Sequence, residues 1–232
     1  AFAQTTETAG VPTPQQTAPT PPPELQNEGL ARFLTSAPKP AGPEADTPYA
    51  DVPPSLDAAV RMVAMDNFSS ATAELQKSLS AAKDDREKTY INMWLGIAYG
   101  SQAINYPSTG WEHGTSATAH LKQAIALDAQ VILAPDVARI MAEMVAHGWA
   151  SEDPATALQR AEQKAEETRR AIDFYFAGII SKRLSARAWG YSDTTEQDQK
   201  TLALFAKSIA REPARYETWS AYLPALLPAG MH

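Results

Sequence analysis

Twelve of the chain's 18 prolines stand at or before Pro54, and the other six are scattered over the rest of its 232 residues. Proline fixes φ, removes a backbone donor and stops helices, so the two parts of the chain face different rules. Residues 1–54 are rich in Pro, Thr, Ala, Gln and Glu, and their only aromatics are Phe2, Phe33 and Tyr49. Such a segment buries too little apolar area to offset its conformational entropy, so the sequence predicts an extended proline-rich arm over 1–54. Pro21-Pro22-Pro23 favours polyproline II. One island, Glu24 to Leu34, is free of proline and carries Leu25, with Leu30, Phe33 and Leu34 at the i, i+3, i+4 spacing of a one-sided helical anchor. Two readings stay open for it: a docking peptide for a partner protein, or a segment that folds back on the chain's own body. Tyr49 joins the arm's candidate contacts.

From Ser55 onward, stretches of 3.6-residue periodicity alternate with turn signals, and no alternating β-branched run occurs. The expectation is an all-α domain over 55–232, with Ser55 as the first N-cap. Phe174, Tyr175, Phe176, Ile179 and Ile180 lie all round one helix, which implies burial on several sides. Glu166 with Arg170, and Arg169 with Asp173, are spaced as i, i+4 ion pairs on a solvated helix face. Lys182, Arg183 and Arg187 suit the end of that same helix and weakly suggest an acidic lipid or partner.

Several function classes drop out on composition. A net charge of -7 with mixed signs gives no basic footprint for nucleic acid. The absence of cysteine excludes disulfides, thiolate metal sites and a cysteine nucleophile. The apolar stretch Ala171 to Ile180 contains Asp173 and is far short of the roughly 20 residues of a bilayer span. Ala1-Phe2-Ala3 before Gln4 resembles the small-x-small end of a secretory signal, so an exported, periplasmic protein, peripheral to a membrane, is expected. A clipped chain would look the same, and a cytoplasmic location stays open.

A repeat is visible in the body. Phe68, Ala71, Leu75 and Ser78, then Leu95-Gly96 with Tyr99, then Ala117, Leu121 and Ala124 to Asp128, and later Phe205, Ser208 and Ile209 to Pro213 with Trp219 following, together resemble the tetratricopeptide repeat. The resemblance covers most of residues 55–227 at low specificity. It implies a right-handed α-solenoid of helix pairs that binds other proteins. Ala129 stands where the family closes a repeat with proline. Gly96 to Ala117 and Gly178 to Thr201 are longer than the family's spacing, and both excesses are aromatic. Insertions in stacked helix pairs tend to emerge on one face, often the binding face. Tyr106, Trp111, His113, Trp189 and Tyr191 are therefore the candidate loop contacts, set against the plainer reading that each ring caps its own helix pair.

The four histidines, 113, 120, 147 and 232, include no pair at i, i+3 or i+4, so no helical metal site is expected. Glu112 beside His113 lacks a catalytic partner, and no phosphate loop, nucleophile elbow or haem attachment sequence occurs. The sequence thus predicts a scaffold without enzymatic activity or cofactor, an accessory subunit of a larger envelope or membrane-associated complex that grips protein partners with its arm and its loops. A small-ligand carrier, with an apolar cleft around Trp94, Tyr99 and Tyr175, is the alternative. A helical glycan-cleaving module ranks third and would need a glutamate in an enclosed groove.

Overall fold

The computed structural model describes residues 49, 52–150, 152–188 and 194–226, with Arg187 and Ala188 described for the backbone alone. These residues form nine helices and no strand: α1 (Asp57–Ala64), α2 (Phe68–Ala81), α3 (Asp85–Asn105), α4 (Gly110–Leu127), α5 (Pro135–Ala146), α6 (Pro154–Thr168), α7 (Ala171–Ala188), α8 (Thr195–Arg211) and α9 (Tyr216–Leu226). Short 3-10 turns cover Pro107–Thr109 and Ala129–Leu133. No helix among the described residues is long and apolar enough to cross a membrane.

Local chemistry sets the helix starts. Asp84 caps α3 by accepting from the Glu87 N–H at 2.8 Å, while the Glu87 carboxylate reaches back to the Lys83 N–H at 3.1 Å. Asp153 caps α6 through the Thr156 N–H at 2.9 Å. That bond holds the Asp153 carboxyl below its usual range. Pro135 and Pro154 occupy first-turn positions, where a missing N–H costs nothing. Ser55, the expected first cap, is not one. The N-cap of α1 is Leu56, whose side chain makes no cap bond and is buried at 1% exposure. A turn closed by Leu56 N–H to Pro53 C=O at 2.8 Å carries the chain into α1, and core burial of Leu56 takes the place of a polar cap.

Each helix packs on the next in sequence, and α3 also packs on α5, α5 on α7 and α7 on α9. Alternate helices thus make an inner row. Close approach in that row depends on missing side chains: a Cβ on Gly100 of α3 would fall 2.2 Å from Ile140 Cγ2 of α5. Phe174, Tyr175, Phe176, Ile179 and Ile180 of α7 are all buried, as their placement round the helix implies. The reason is that α7 touches α5, α6, α8 and α9.

Two further local expectations fail. The excess between Gly96 and Ala117 is not a long loop. It lengthens α3 to 21 residues and α4 to 18, leaving only Tyr106 and the 3-10 turn between them. Nor do Glu166 and Asp173 share one helix. Arg169 takes a left-handed φ of 55° and ends α6, so the i, i+4 pairs with Arg170 and Arg169 do not form. Glu166 instead pairs with Lys207 on α8. Asp173 accepts from Thr168 at 2.6 Å and from Arg170 at 2.8 Å across the break.

Candidate functional site

Antiparallel connection gives the α3–α4 hairpin two chemically different ends. At one end stand Tyr106, which closes α3, and Trp111, in the first turn of α4; they are 53% and 61% exposed. The α1–α2 turn comes to the same end, since Asn105 Nδ2 donates to Asp66 Oδ1 at 3.3 Å, and it carries Met65 at 76% exposure. Met65, Tyr106 and Trp111 are thus large apolar side chains left in water at one end of the helices. The connection after α5 joins them. Trp149 lies against Gly110 and Gly114 of α4, where any Cβ would collide with its ring or Cβ, and stacks on His147 at 4.3 Å between centroids.

His113 is on α4 rather than in a loop, and its ring is half-buried, stacked on Tyr99 of α3 at 6.1 Å and 18°. His120, two turns along α4, stacks on the same tyrosine at 5.8 Å and 5°. Gln76 Nε2 donates to the Tyr99 hydroxyl at 2.7 Å, and burial raises that hydroxyl's pKa. Asn92 Nδ2 donates to Lys88 C=O at 2.9 Å, which orients the amide so that its Oδ1 faces His120 Nδ1 at 2.9 Å. His120 must then carry its proton on Nδ1. With the ring 3% exposed, burial pushes its pKa down to about 4. A base that weak, closed off from solvent, packs the α3–α4 seam and is not placed for proton transfer to a substrate.

At the opposite end of the hairpin Tyr49 meets the helical body. Tyr49, with φ 66°, packs edge-on against Tyr90 of α3 at 4.7 Å and donates its hydroxyl to Asp128, just past α4. Burial first, then this carboxylate acceptor, raises the Tyr49 pKa. Tyr49 is therefore spent on the body. Clefts of about 500 and 460 Å³ flank this contact and share Arg86 and Tyr90. Between α6 and α8 an open groove of about 430 Å³ carries Glu162 and Glu166, but Lys200 and Lys207 neutralise both carboxylates.

Of the remaining candidates, Leu25, Leu30, Phe33, Leu34, Trp189 and Tyr191 lie outside the described residues. Two of the rings expected to line a ligand cleft are taken up by other side chains. Tyr175 is 1% exposed and packs against Phe205, while Tyr99 is held between two histidines. Arg183 pairs with Glu143 at 2.6 Å, whereas Lys182 makes a 3.3 Å bond to the neutral Ala221 C=O. Among the described residues no group of three His, Cys, Asp or Glu side chains could hold a metal. Met65 and Trp149 were not singled out by the sequence; isolated apolar residues at helix turns give no signal until the turns are brought together. No family model, curated protein or solved structure matches this chain.

Proposed function

We propose that the protein is a non-catalytic scaffold, a tetratricopeptide-like solenoid that binds protein partners as an accessory subunit of a larger, membrane-associated complex outside the cytoplasm. The observation that carries this reading is the exposed apolar end formed by Met65, Tyr106 and Trp111. Aromatic and methionine side chains of this kind are over-represented at interface centres, where water exclusion makes each count for more than on open surface. The inner row α3–α5–α7 supports the solenoid part, because in stacked helix pairs the first helix of each pair packs on the next. The arm, rooted at the far end by Tyr49, supplies a second contact region in this reading.

The test is capture from gently solubilised native membranes with three baits: the full chain, a chain beginning at Ser55, and a Tyr106→Ser/Trp111→Ser double variant. Both side chains are more than half exposed, so the double variant should unfold within about 0.5 kcal/mol of the parent. A partner retained by the full chain and lost by the double variant supports the apolar end as its seat. Equal capture by all three baits, or none by any, removes the basis of the proposal.

A further inference from the structure

A pocket of about 270 Å³ opens between the second half of α7, the first turns of α8 and the end of α9. Ala186, Pro224 and Ala225 supply apolar wall, together with the Lys182 stem and the Thr201 methyl. Two opposite charges border it without meeting. The Lys182 ammonium makes one hydrogen bond, of 3.3 Å, to Ala221 C=O, and no carboxylate among the described residues lies within ion-pairing distance of it. The Asp198 carboxylate accepts from the Ser185 hydroxyl and from Thr194 Oγ1 at 2.9 Å, contacts that fix its direction, and no cation among the described side chains pairs with it. Ser185, which holds Asp198, follows Lys182 by three residues on α7, so both charged groups are carried to the same wall of the pocket.

Half-buried charges that do not pair with each other are costly to keep, and they complement a ligand that brings both opposite charges. We propose that this pocket binds a small zwitterion with an apolar side chain, of the class of the aliphatic α-amino acids, its carboxylate on Lys182 and its ammonium on Asp198. A simple carboxylate would gain Lys182 but meet Asp198; an amine would gain Asp198 but meet Lys182. This is discrimination by repulsion as much as by attraction. The volume lies just below the roughly 300–1,000 Å³ of drug-sized pockets, which limits the occupant to one small molecule. Burial, and then the neighbouring Arg183 charge, lowers the Lys182 pKa against a smaller opposing pull from Glu143. The proposal stands independently of the scaffold reading, because nothing in it depends on the apolar end or the arm.

Titration calorimetry of the full chain with L-valine, L-leucine and L-phenylalanine tests it, with N-acetyl-L-leucine and 3-methylbutylamine as the two half-charged probes. Saturable binding of at least one amino acid is expected, weakened at least tenfold (about 1.4 kcal/mol) in either half-charged probe. Lys182→Met and Asp198→Asn should each weaken it to a similar extent. Should either variant fail to fold, Ala186→Leu, at an exposed rim position, should block the pocket instead. Absence of saturable binding for all three amino acids overturns the proposal. So does N-acetyl-leucine or the amine binding as tightly as leucine, or undiminished binding by Ala186→Leu.

Discussion

Acidification should destabilise this protein through one identifiable side chain. His120 is neutral and buried in the α3–α4 seam, with its proton fixed on Nδ1 by Asn92, and charging it would put an unpaired cation in the core. Its folded pKa of about 4 lies below the usual 6.5 of the unfolded chain. The unfolded state therefore binds a proton first. The His120 contribution is fully present above about pH 6.5 and is lost as the pH falls toward 4. With those two values, linkage gives a loss of about 2 kcal/mol by pH 5 and about 3 kcal/mol by pH 4, a large share of a domain's usual ~5–15 kcal/mol. Urea denaturation of the parent and of His120→Gln, at half-unit steps from pH 7 to 4, isolates the term. The difference in stability between the two proteins should shrink across this window, whatever the other histidines and the carboxylates do in common. A stability difference independent of pH, or an NMR titration of the His120 ring with its midpoint near 6.5, would refute the argument.

Other residues give sharper structural tests. A Cβ on Gly178 would fall 2.5 Å from Phe205 Cε1 in the core between α7 and α8. Gly178→Ala should therefore destabilise by a net of up to ~2 kcal/mol, overpacking of ~1–3 offset by helix propensity of ~1. In a Phe205→Ala background, itself costing ~3–5 kcal/mol, the same change should stabilise, and a double-mutant cycle by chemical denaturation reads the reversal of sign. Tyr49→Phe removes the hydroxyl from Asp128 but keeps the ring on Tyr90. Thermal unfolding should show a loss of ~1 kcal/mol, whereas no change would mean that the hydroxyl contact is replaced by water at no cost.

The sequence carried the helical character and the core of α7 because both rest on periodicity, and periodicity survives without knowledge of neighbours. Its errors were of one kind. Gly110 and Gly114, flanking Trp111 and His113, looked like loop residues, yet they are helical and their missing side chains admit the Trp149 ring. Glycine marks a turn and a close helix contact in the same way, and only the packing partner tells them apart. The break at Arg169 is silent for the opposite reason: Glu167-Thr168-Arg169-Arg170 contains neither glycine nor proline, and the left-handed residue is an arginine held by tertiary bonds such as Arg211 Nε to its own C=O at 2.8 Å. The pocket lined by Lys182 and Asp198 was likewise unreadable, since it forms only where three consecutive helices, α7, α8 and α9, pack together. The exposed Trp111 and Tyr106 were legible as residues, though not as members of a cluster with Met65.

The contact of Tyr49 with Tyr90 and Asp128 also fixes a distance. It lies toward the opposite end of the 21-residue α3 from Tyr106, about 24 Å away along the axis. The 48 residues before Tyr49 have a maximum contour length of roughly 160 Å, several times that separation. A surface held by residues 1–48 and a surface held by Trp111 can therefore be occupied at once by a single body or by two, without either displacing the other. For a single body, the second attachment becomes intramolecular, and its strength is set by local effective concentration rather than by affinity alone. Lengthening or shortening the chain ahead of Tyr49 would then tune avidity without altering any contact surface.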